Sequence, residues 1–148
     1  MDAEHYDTEE RALAFAAFDE SAAIKLGMVL VALAQDGALP VVIDIRTADR
    51  TLFHAGLPGS GPLNDDWARR KSNTALKFQK ASLVAGLQNR AKGEPLAVHG
   101  LDTGDYADHG GAVPIRVKGV GVVAVATVSG LPQVEDHNLV IRALRQLH

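Results

Sequence analysis

Two polar side chains occupy positions where a helix is expected to be apolar. On a helical wheel at about 100° per residue, Lys71 lies in the middle of the apolar arc of residues 65–80, away from the other cations of that segment. His137 lies in the same way inside the apolar stripe of the last predicted helix. The ordinary explanations are a lysine whose stem packs while its ammonium reaches water, and a hydrogen-bonded core histidine. Because each residue lies beside a glycine-rich loop, we predict instead that the two open into one shared pocket.

The residues around these two side chains define a candidate ligand pocket. Its predicted members are Asn64, Trp67, Arg70, Lys71, His109, Gly110, Gly111, Asp136 and His137. Lys71 or His137 could act there as acid or base, and a lysine with a lowered pKa could be nucleophilic. The N–H groups of Gly110 and Gly111 could donate to a developing oxyanion. No triad-like spacing accompanies them, so catalytic residues stay unassigned.

The segment 93–112 lacks helix or strand periodicity, which in a compact domain is typical of a functional or mobile segment. It contains histidines and aspartates, which could bind a divalent metal. His99, Asp105 and His109 are the candidate ligands. Their spacing matches neither a zinc site nor an EF-hand, and an acidic surface loop is the alternative.

Other motifs argue against phosphate and nucleic-acid chemistry. The loop 56–61 has neither Walker nor dinucleotide-binding spacing, and Gly59-Ser60-Gly61 is not a nucleophile elbow. The basic arc of helix 65–80 has no interleaved aromatic residues, and the formal net charge is −3. We therefore expect no nucleic-acid partner and interpret the basic arc as a solvated face or a contact between subunits.

Composition predicts one cytoplasmic domain spanning residues 1–148, with residues 1–10 flexible. The 148 residues include no cysteine, which excludes disulfides and cysteine nucleophiles and suits a reducing compartment. The acidic start does not resemble a signal peptide. The longest apolar run, residues 28–34, is far shorter than the roughly 20 residues of a membrane span, so we expect no membrane partner.

The predicted elements alternate helices with hairpins. They are a helix over 21–36 capped by Asp19 and Gly37, a hairpin over 41–54, a helix over 65–80 capped by Asn64, a shorter helix from Ser82 to about Gly93, a hairpin over 113–128, and a helix from Pro132 to the end. Two hairpins joined through helices cannot build a purely parallel sheet. The pattern favours an α+β fold with helices packed on an antiparallel sheet.

The second hairpin also predicts self-association. Alternate residues of the strand 120–128 are apolar on both faces, and the helix 21–36 is apolar almost all round. The apolar surfaces of this strand and this helix must be covered from water. We predict that copies of the chain cover them, the alternative being coverage by helices of the same chain.

Three strings resemble one known family. Asn64–Asn73 (NDDWARRKSN), His109–Ile115 (HGGAVPI) and Val128–His137 (VSGLPQVEDH) are similar to the haem-degrading-domain family, above all to its branch of small stand-alone proteins of unknown function. The likeness runs from about residue 10 to the end. The resemblance implies a profilin-like or PAS-like sheet of about five antiparallel strands with flanking helices. It also implies ring-like homo-oligomers and binding of haem or iron.

Three functions are compatible with these patterns. The favoured one is an oligomeric domain that binds a small ligand, haem or iron, and could degrade haem. His137 or His109 would then be the axial ligand, and Arg69, Arg70 or Lys71 would meet the propionates. The alternatives are a non-enzymatic homo-oligomeric scaffold with Asn64, Trp67, Asp136 and His137 at its interfaces, and an enzyme acting on a small carbonyl compound or hydroxy acid.

Overall fold

Five helices surround a four-stranded antiparallel sheet in the computed structural model, which describes residues 2–148. The elements are α1 (Ala3–Arg11), α2 (Glu20–Asp36), β1 (Val42–Arg46), β2 (Thr51–Gly56), α3 (Pro62–Phe78), α4 (Ser82–Lys92), a 3-10 turn (Leu96–His99), β3 (Ala112–Val117), β4 (Gly121–Ser129) and α5 (Gln133–Gln146). The strands lie in the order β2-β1-β4-β3. The α+β class predicted from the sequence is confirmed.

The strand count is lower by one than expected. Only Phe15 pairs on the outer edge of β3, in a single parallel bridge to Val117. Its N–H donates to the carbonyl of Arg116 at 2.8 Å, and its carbonyl accepts from Lys118 N at 2.9 Å. The segment between α1 and α2 makes no other bridge among the described residues, so it does not count as a fifth strand.

The sheet has one largely apolar face and one partly polar face. Ile43, Ile45, Ala126 and Val128 contribute to the main core with α2 and α5. The opposite face packs under α3, where Val125 contacts an alanine layer and Thr127 meets Ser72. The second half of β4 is thus buried on both faces by helices of its own chain. The argument for self-association from this strand is therefore wrong, because α3 supplies the cover.

The caps show how far local sequence fixes helix ends. Asp19 caps α2 by accepting from Ala22 N at 2.9 Å, and Gly37 ends the helix, both as predicted. Asn64 does not begin α3: the helix starts at Pro62, and Asn64 is its third residue. Its side-chain oxygen reaches back to Gly61 N at 2.9 Å, as in a capping box.

Residues 3–11 form a packed helix, which corrects the expectation of a flexible start. Asp2 caps α1 by accepting from His5 N. Tyr6 packs with Leu83 and its neighbours on α4, and Glu10 is only 2% exposed. Arg116 donates two hydrogen bonds to the Glu10 carboxylate, at 2.7 and 2.9 Å.

The apolar excess of α2 is only partly covered. Leu26, Leu30 and Ala34 are fully buried, whereas Ile24 is 52% and Met28 57% exposed. These two residues lie one turn apart on the same side of the helix. Across residues 2–148 no helix combines the length and hydropathy that crossing a bilayer requires.

Candidate functional site

A cavity of about 280 Å³ opens between the start of α3, the loop before β3 and the turn from β4 to α5. Its lining consists of Asn64, Trp67, Lys71, His109, Gly110, Ser129, Gly130, Leu131, Gln133 and Asp136. The structure thus brings six of the nine predicted pocket residues together. Arg70, Gly111 and His137 do not line it.

Lys71 forms the buried end of this cavity and is 2% exposed. Its Nζ donates to the carbonyls of Gly110 at 3.0 Å and Val128 at 2.7 Å, and to Asp136 Oδ2 at 3.1 Å. An ammonium has three hydrogens, and all three are used. Burial lowers the pKa of Lys71, and the Asp136 carboxylate opposes that shift. The side chain therefore neither reaches water nor offers a free nucleophile.

Asp136 completes this buried pair. Its Oδ1 accepts from Leu131 N at 2.9 Å, and its Oδ2 accepts from Gly130 N at 3.3 Å as well as from Lys71. Burial raises the pKa of Asp136, and the Lys71 charge opposes that shift. The carboxylate thereby fixes the turn between β4 and α5.

Gly111 lies against Lys71 without lining the cavity. Its φ of +140° is a backbone conformation that glycine adopts and other residues rarely do. A Cβ at this position would collide with Lys71 Nζ and the carbonyl of Val128. The glycine therefore provides the space that the ammonium occupies.

Trp67 and His109 lie at the cavity with their rings edge to face, 5.3 Å between centroids. The guanidinium of Arg70 stands 4.5 Å from the centre of the Trp67 ring, a cation–π contact, and its Nε donates to the carbonyl of Thr103 at 2.8 Å. Partial burial lowers the pKa of His109, while Asp108 opposes the shift. Burial thus favours the neutral imidazole, a form that can bind a metal.

α3 also holds the segment before β3 in place. Arg69 donates to the carbonyl of Gly104 at 2.9 Å, and Asn73 donates to that of Asp105 at the same distance. Ala107 N donates in turn to Thr74 Oγ1 at 3.0 Å. Part of the basic arc of α3, interpreted from sequence as a solvated face or subunit contact, thus positions His109.

His137 lies outside the cavity. It is fully buried, its ring meets the Tyr6 ring edge to face at 5.2 Å, and neither ring nitrogen has a hydrogen-bond partner among the described residues. Burial lowers its pKa to about 4. Consecutive helical residues point about 100° apart, so Asp136 faces Lys71 while His137 faces α1. The predicted pocket shared by Lys71 and His137 does not form.

The three candidate metal ligands are held in separate contacts. His99 lies against Phe78 and near Glu94, whereas Asp105 pairs with Arg69 at 3.1 Å. His109 is at the cavity. Within residues 2–148 no group of three or more histidines and carboxylates is arranged to hold a metal ion.

Sequence reasoning missed two parts of this region. The cavity is also lined by Ser129, Gly130, Leu131 and Gln133. All four belong to the string Val128–His137, from which the sequence prediction took only Asp136 and His137. A polar cluster under α3 was missed altogether and consists of Asp44, Arg46, His54 and Asp65. Its only sequence signal is a carboxylate inside the apolar strand β1.

The Asp44 cluster joins the edge strand to α3. The Asp44 carboxylate is fully buried, accepts from Arg46 at 2.8 Å and lies 2.8 Å from His54 Nδ1. The other ring nitrogen of His54 lies 3.0 Å from Asp65 on the first turn of α3. None of the four lines the cavity, so we assign the cluster to positioning α3.

Comparison with known proteins agrees with this architecture. A UPF0303 protein of Streptomyces coelicolor is 48% identical over 141 residues, which is 95% of this chain and 89% of that protein. The crystal structure of the Ybr137w protein superposes with a TM-score of 0.89 at 31% identity, covering 98% of this chain and 86% of the other.

A second solved structure shows the same fold at lower identity. The PduOC:heme complex gives a TM-score of 0.68 at 22% identity, over 89% of this chain and 94% of the other. The family model described as haem-degrading protein HbpS-like matches residues 18–145. The chain therefore belongs to the HbpS-like family of haem-degrading proteins.

Proposed function

We propose that this protein binds a small molecule at the cavity that Trp67 and His109 line, and that the ligand is haem. The family name and the haem complex of a protein with the same fold support that ligand. The observation that carries the proposal is His109. Its ring lies at the cavity and makes no hydrogen bond to another described residue, and partial burial lowers its pKa and so favours the neutral form.

The residues at the cavity fit the two requirements of haem. Iron needs a donor atom, which the His109 ring could supply, and the propionates need a cation. Arg70, stacked on Trp67, forms no ion pair among residues 2–148 and could supply it. Small-molecule sites usually span about 300–1,000 Å³, so a cavity of about 280 Å³ admits only part of a porphyrin. We propose binding rather than turnover, because all three hydrogens of the Lys71 ammonium are bonded to the protein and none is free for proton transfer to a ligand.

Titration with hemin tests the proposal. We expect a saturable Soret shift with the wild-type protein and at least about tenfold weaker binding for His109→Ala. His99→Ala is the matched control, because His99 lies in the same 93–112 segment but outside the cavity. Absence of a Soret shift at micromolar hemin, or equal binding by His109→Ala, would refute the proposal.

A homo-oligomeric scaffold is the second candidate, and the exposed side of α2 favours it. Ile24 and Met28 together expose two large apolar side chains one turn apart. Exposed apolar patches of this kind commonly mark protein interfaces. We propose that a second copy of the chain covers them.

We further propose that residues 1–148 act as one domain in the cytoplasm. The cavity draws its lining from residues 64 to 136, which argues against a division within that stretch. The chain contains no cysteine, as suits a reducing compartment.

A further inference from the structure

The carboxylate and the two amide side chains that line the cavity have used their oxygen acceptors on the protein itself. Both oxygens of Asp136 accept hydrogen bonds from the chain. The amide oxygen of Asn64 accepts from Gly61 N at 2.9 Å, and that of Gln133 accepts from Gly110 N at 3.0 Å. A backbone N–H can only donate, which fixes the orientation of both amides. Each therefore keeps its NH₂ group for a ligand.

Further donors surround the same space. The indole N–H of Trp67 and the hydroxyl of Ser129, a residue 3% exposed, line the cavity and form no hydrogen bond with another described residue. α5 begins at Gln133 after Pro132, which offers no side-chain cap. The first N–H groups of a helix lack internal partners, and this end of the helix carries partial positive charge.

The two charged side chains that line the cavity leave no net charge on it. Lys71 and Asp136 compensate one another at its buried end. Asp108, beside His109, accepts from Asn89 at 3.1 Å and lies 3.9 Å from Arg90. Arg70, stacked on Trp67, forms no ion pair with another described residue.

We infer that the cavity binds a carboxylate group, presented either by a propionate of haem or by a free small organic acid. The NH₂ groups of Asn64 and Gln133 and the indole N–H of Trp67 can only donate. The Ser129 hydroxyl can donate as well. This set of donors suits a ligand that only accepts hydrogen bonds, as a carboxylate does. Trp67 and Leu131 supply an apolar wall for a flat body attached to that group. The inference rests on the proposed ligand-binding role of this cavity and adds the chemical class that it recognises.

Benzoate and benzamide are the probes, because they share a shape and differ in charge and in the presence of donors. Trp67 is the only tryptophan in the chain, so its fluorescence reports directly on this cavity, with calorimetry as the second readout. We expect one benzoate to bind per chain, with a Kd at least about tenfold lower than that of benzamide.

Two nearly isosteric variants reverse the hydrogen-bonding character of the cavity. Gln133→Glu and Asn64→Asp keep the oxygen that accepts from the backbone and replace the NH₂ group with a charged oxygen. Each should weaken benzoate binding at least about tenfold. Asn138→Asp is the control, since it adds the same charge to an exposed position of α5 that does not line the cavity. Ser129→Ala removes one donor without adding charge, and it should also weaken benzoate binding. It serves as the test if either charged variant fails to fold.

Hemin and its dimethyl ester separate the two sources of the carboxylate. If a propionate enters the cavity, the ester binds more weakly than hemin, Gln133→Glu weakens hemin binding, and benzoate competes with hemin. If a free acid is the ligand, benzoate binds the wild type but not Gln133→Glu and leaves hemin binding unchanged.

The haem proposal and the carboxylate inference can fail separately. Saturable benzoate binding without any hemin binding refutes the haem proposal and leaves the inference standing. Hemin binding that depends on His109 but is equal for the ester and for Gln133→Glu, with no saturable benzoate binding, overturns the inference. Absence of binding by both hemin and benzoate overturns both.

Discussion

Lys71 is an ion that the fold removes from water and surrounds with oxygen. Its three acceptors come from the loop before β3, the end of β4 and the start of α5. A buried charge remains compatible with the fold only when its partner and hydrogen bonds compensate for lost hydration. The hydrogen bonds of Lys71 therefore hold together segments that are distant in sequence.

Lys71→Met should lower the free energy of unfolding by about 3–5 kcal/mol, because Asp136 would remain buried without its counter-ion. Urea denaturation measures the change. Adding Asp136→Asn to this variant should recover part of the loss, since it removes the orphaned charge. A loss below about 1 kcal/mol for Lys71→Met would contradict the buried pair.

His137→Phe should stabilise the protein and flatten its pH dependence. Burial lowers the pKa of His137 from 6.5 in the unfolded chain to about 4, an effect that Glu9 opposes. Between these pH values the unfolded chain binds the extra proton. The free energy of unfolding of the wild type therefore falls, by up to about 3 kcal/mol, as the pH drops from 6.5 to 4.

Urea denaturation at pH 7, 5.5 and 4 tests this prediction. Phenylalanine keeps a ring against Tyr6 and removes two unsatisfied nitrogens. The wild type and the variant should therefore diverge as the pH falls. Parallel curves would show that folding does not lower the pKa of His137.

The helical wheel predicted that Lys71 and His137 are buried, but it did not predict which residues they contact. Lys71 and His137 are both buried as their positions on the wheel indicated. Their neighbours depend on how helices pack, and a wheel contains no such information. Asp136 and His137 are consecutive residues that face different elements, a separation that only the packing of α1 and α3 against α5 reveals.

At the scale of elements, α1 is the helix that the sequence pattern did not predict. Tyr6 is its one large buried apolar residue, so no amphipathic stripe marks it. The other anchor, Glu10, is a carboxylate whose partner Arg116 lies more than a hundred residues away. In contrast, the caps of α2 and the two hairpins depend on neighbouring residues and were predicted from them.

Two arginines attach α1 to the rest of the chain with unequal strength. Arg116→Met should destabilise the protein by about 3–5 kcal/mol, because it leaves Glu10 buried and unpaired. Arg145→Met removes the exposed pair with Glu9 and should cost at most about 1 kcal/mol. Thermal and urea unfolding compare the two variants, and equal losses would contradict the burial of Glu10.

At the scale of the whole molecule, the self-association that we propose rests on the exposed side of α2. The second half of β4 gives no argument for it, because α3 and the main core bury that half within one chain. The exposed Ile24 and Met28 remain as the observation in its favour.

Met28→Glu should shift the protein toward the monomer in light scattering, because a carboxylate is strongly disfavoured in an apolar interface. Val120→Glu is the control, since Val120 is exposed in the turn of the second hairpin, away from α2. A monomeric wild-type protein, or an unchanged mass for Met28→Glu, would exclude α2 as the interface.

The hydrogen bonds of Lys71 join residue 71 to residues 110, 128 and 136, so nearly half of the chain separates Lys71 from its partner Asp136. Contacts between such distant residues form late and slowly. A nascent polypeptide still without α5 has no carboxylate to neutralise this ammonium and no finished cavity. A molecule in which α5 is not yet in place therefore also lacks the ligand site that we propose.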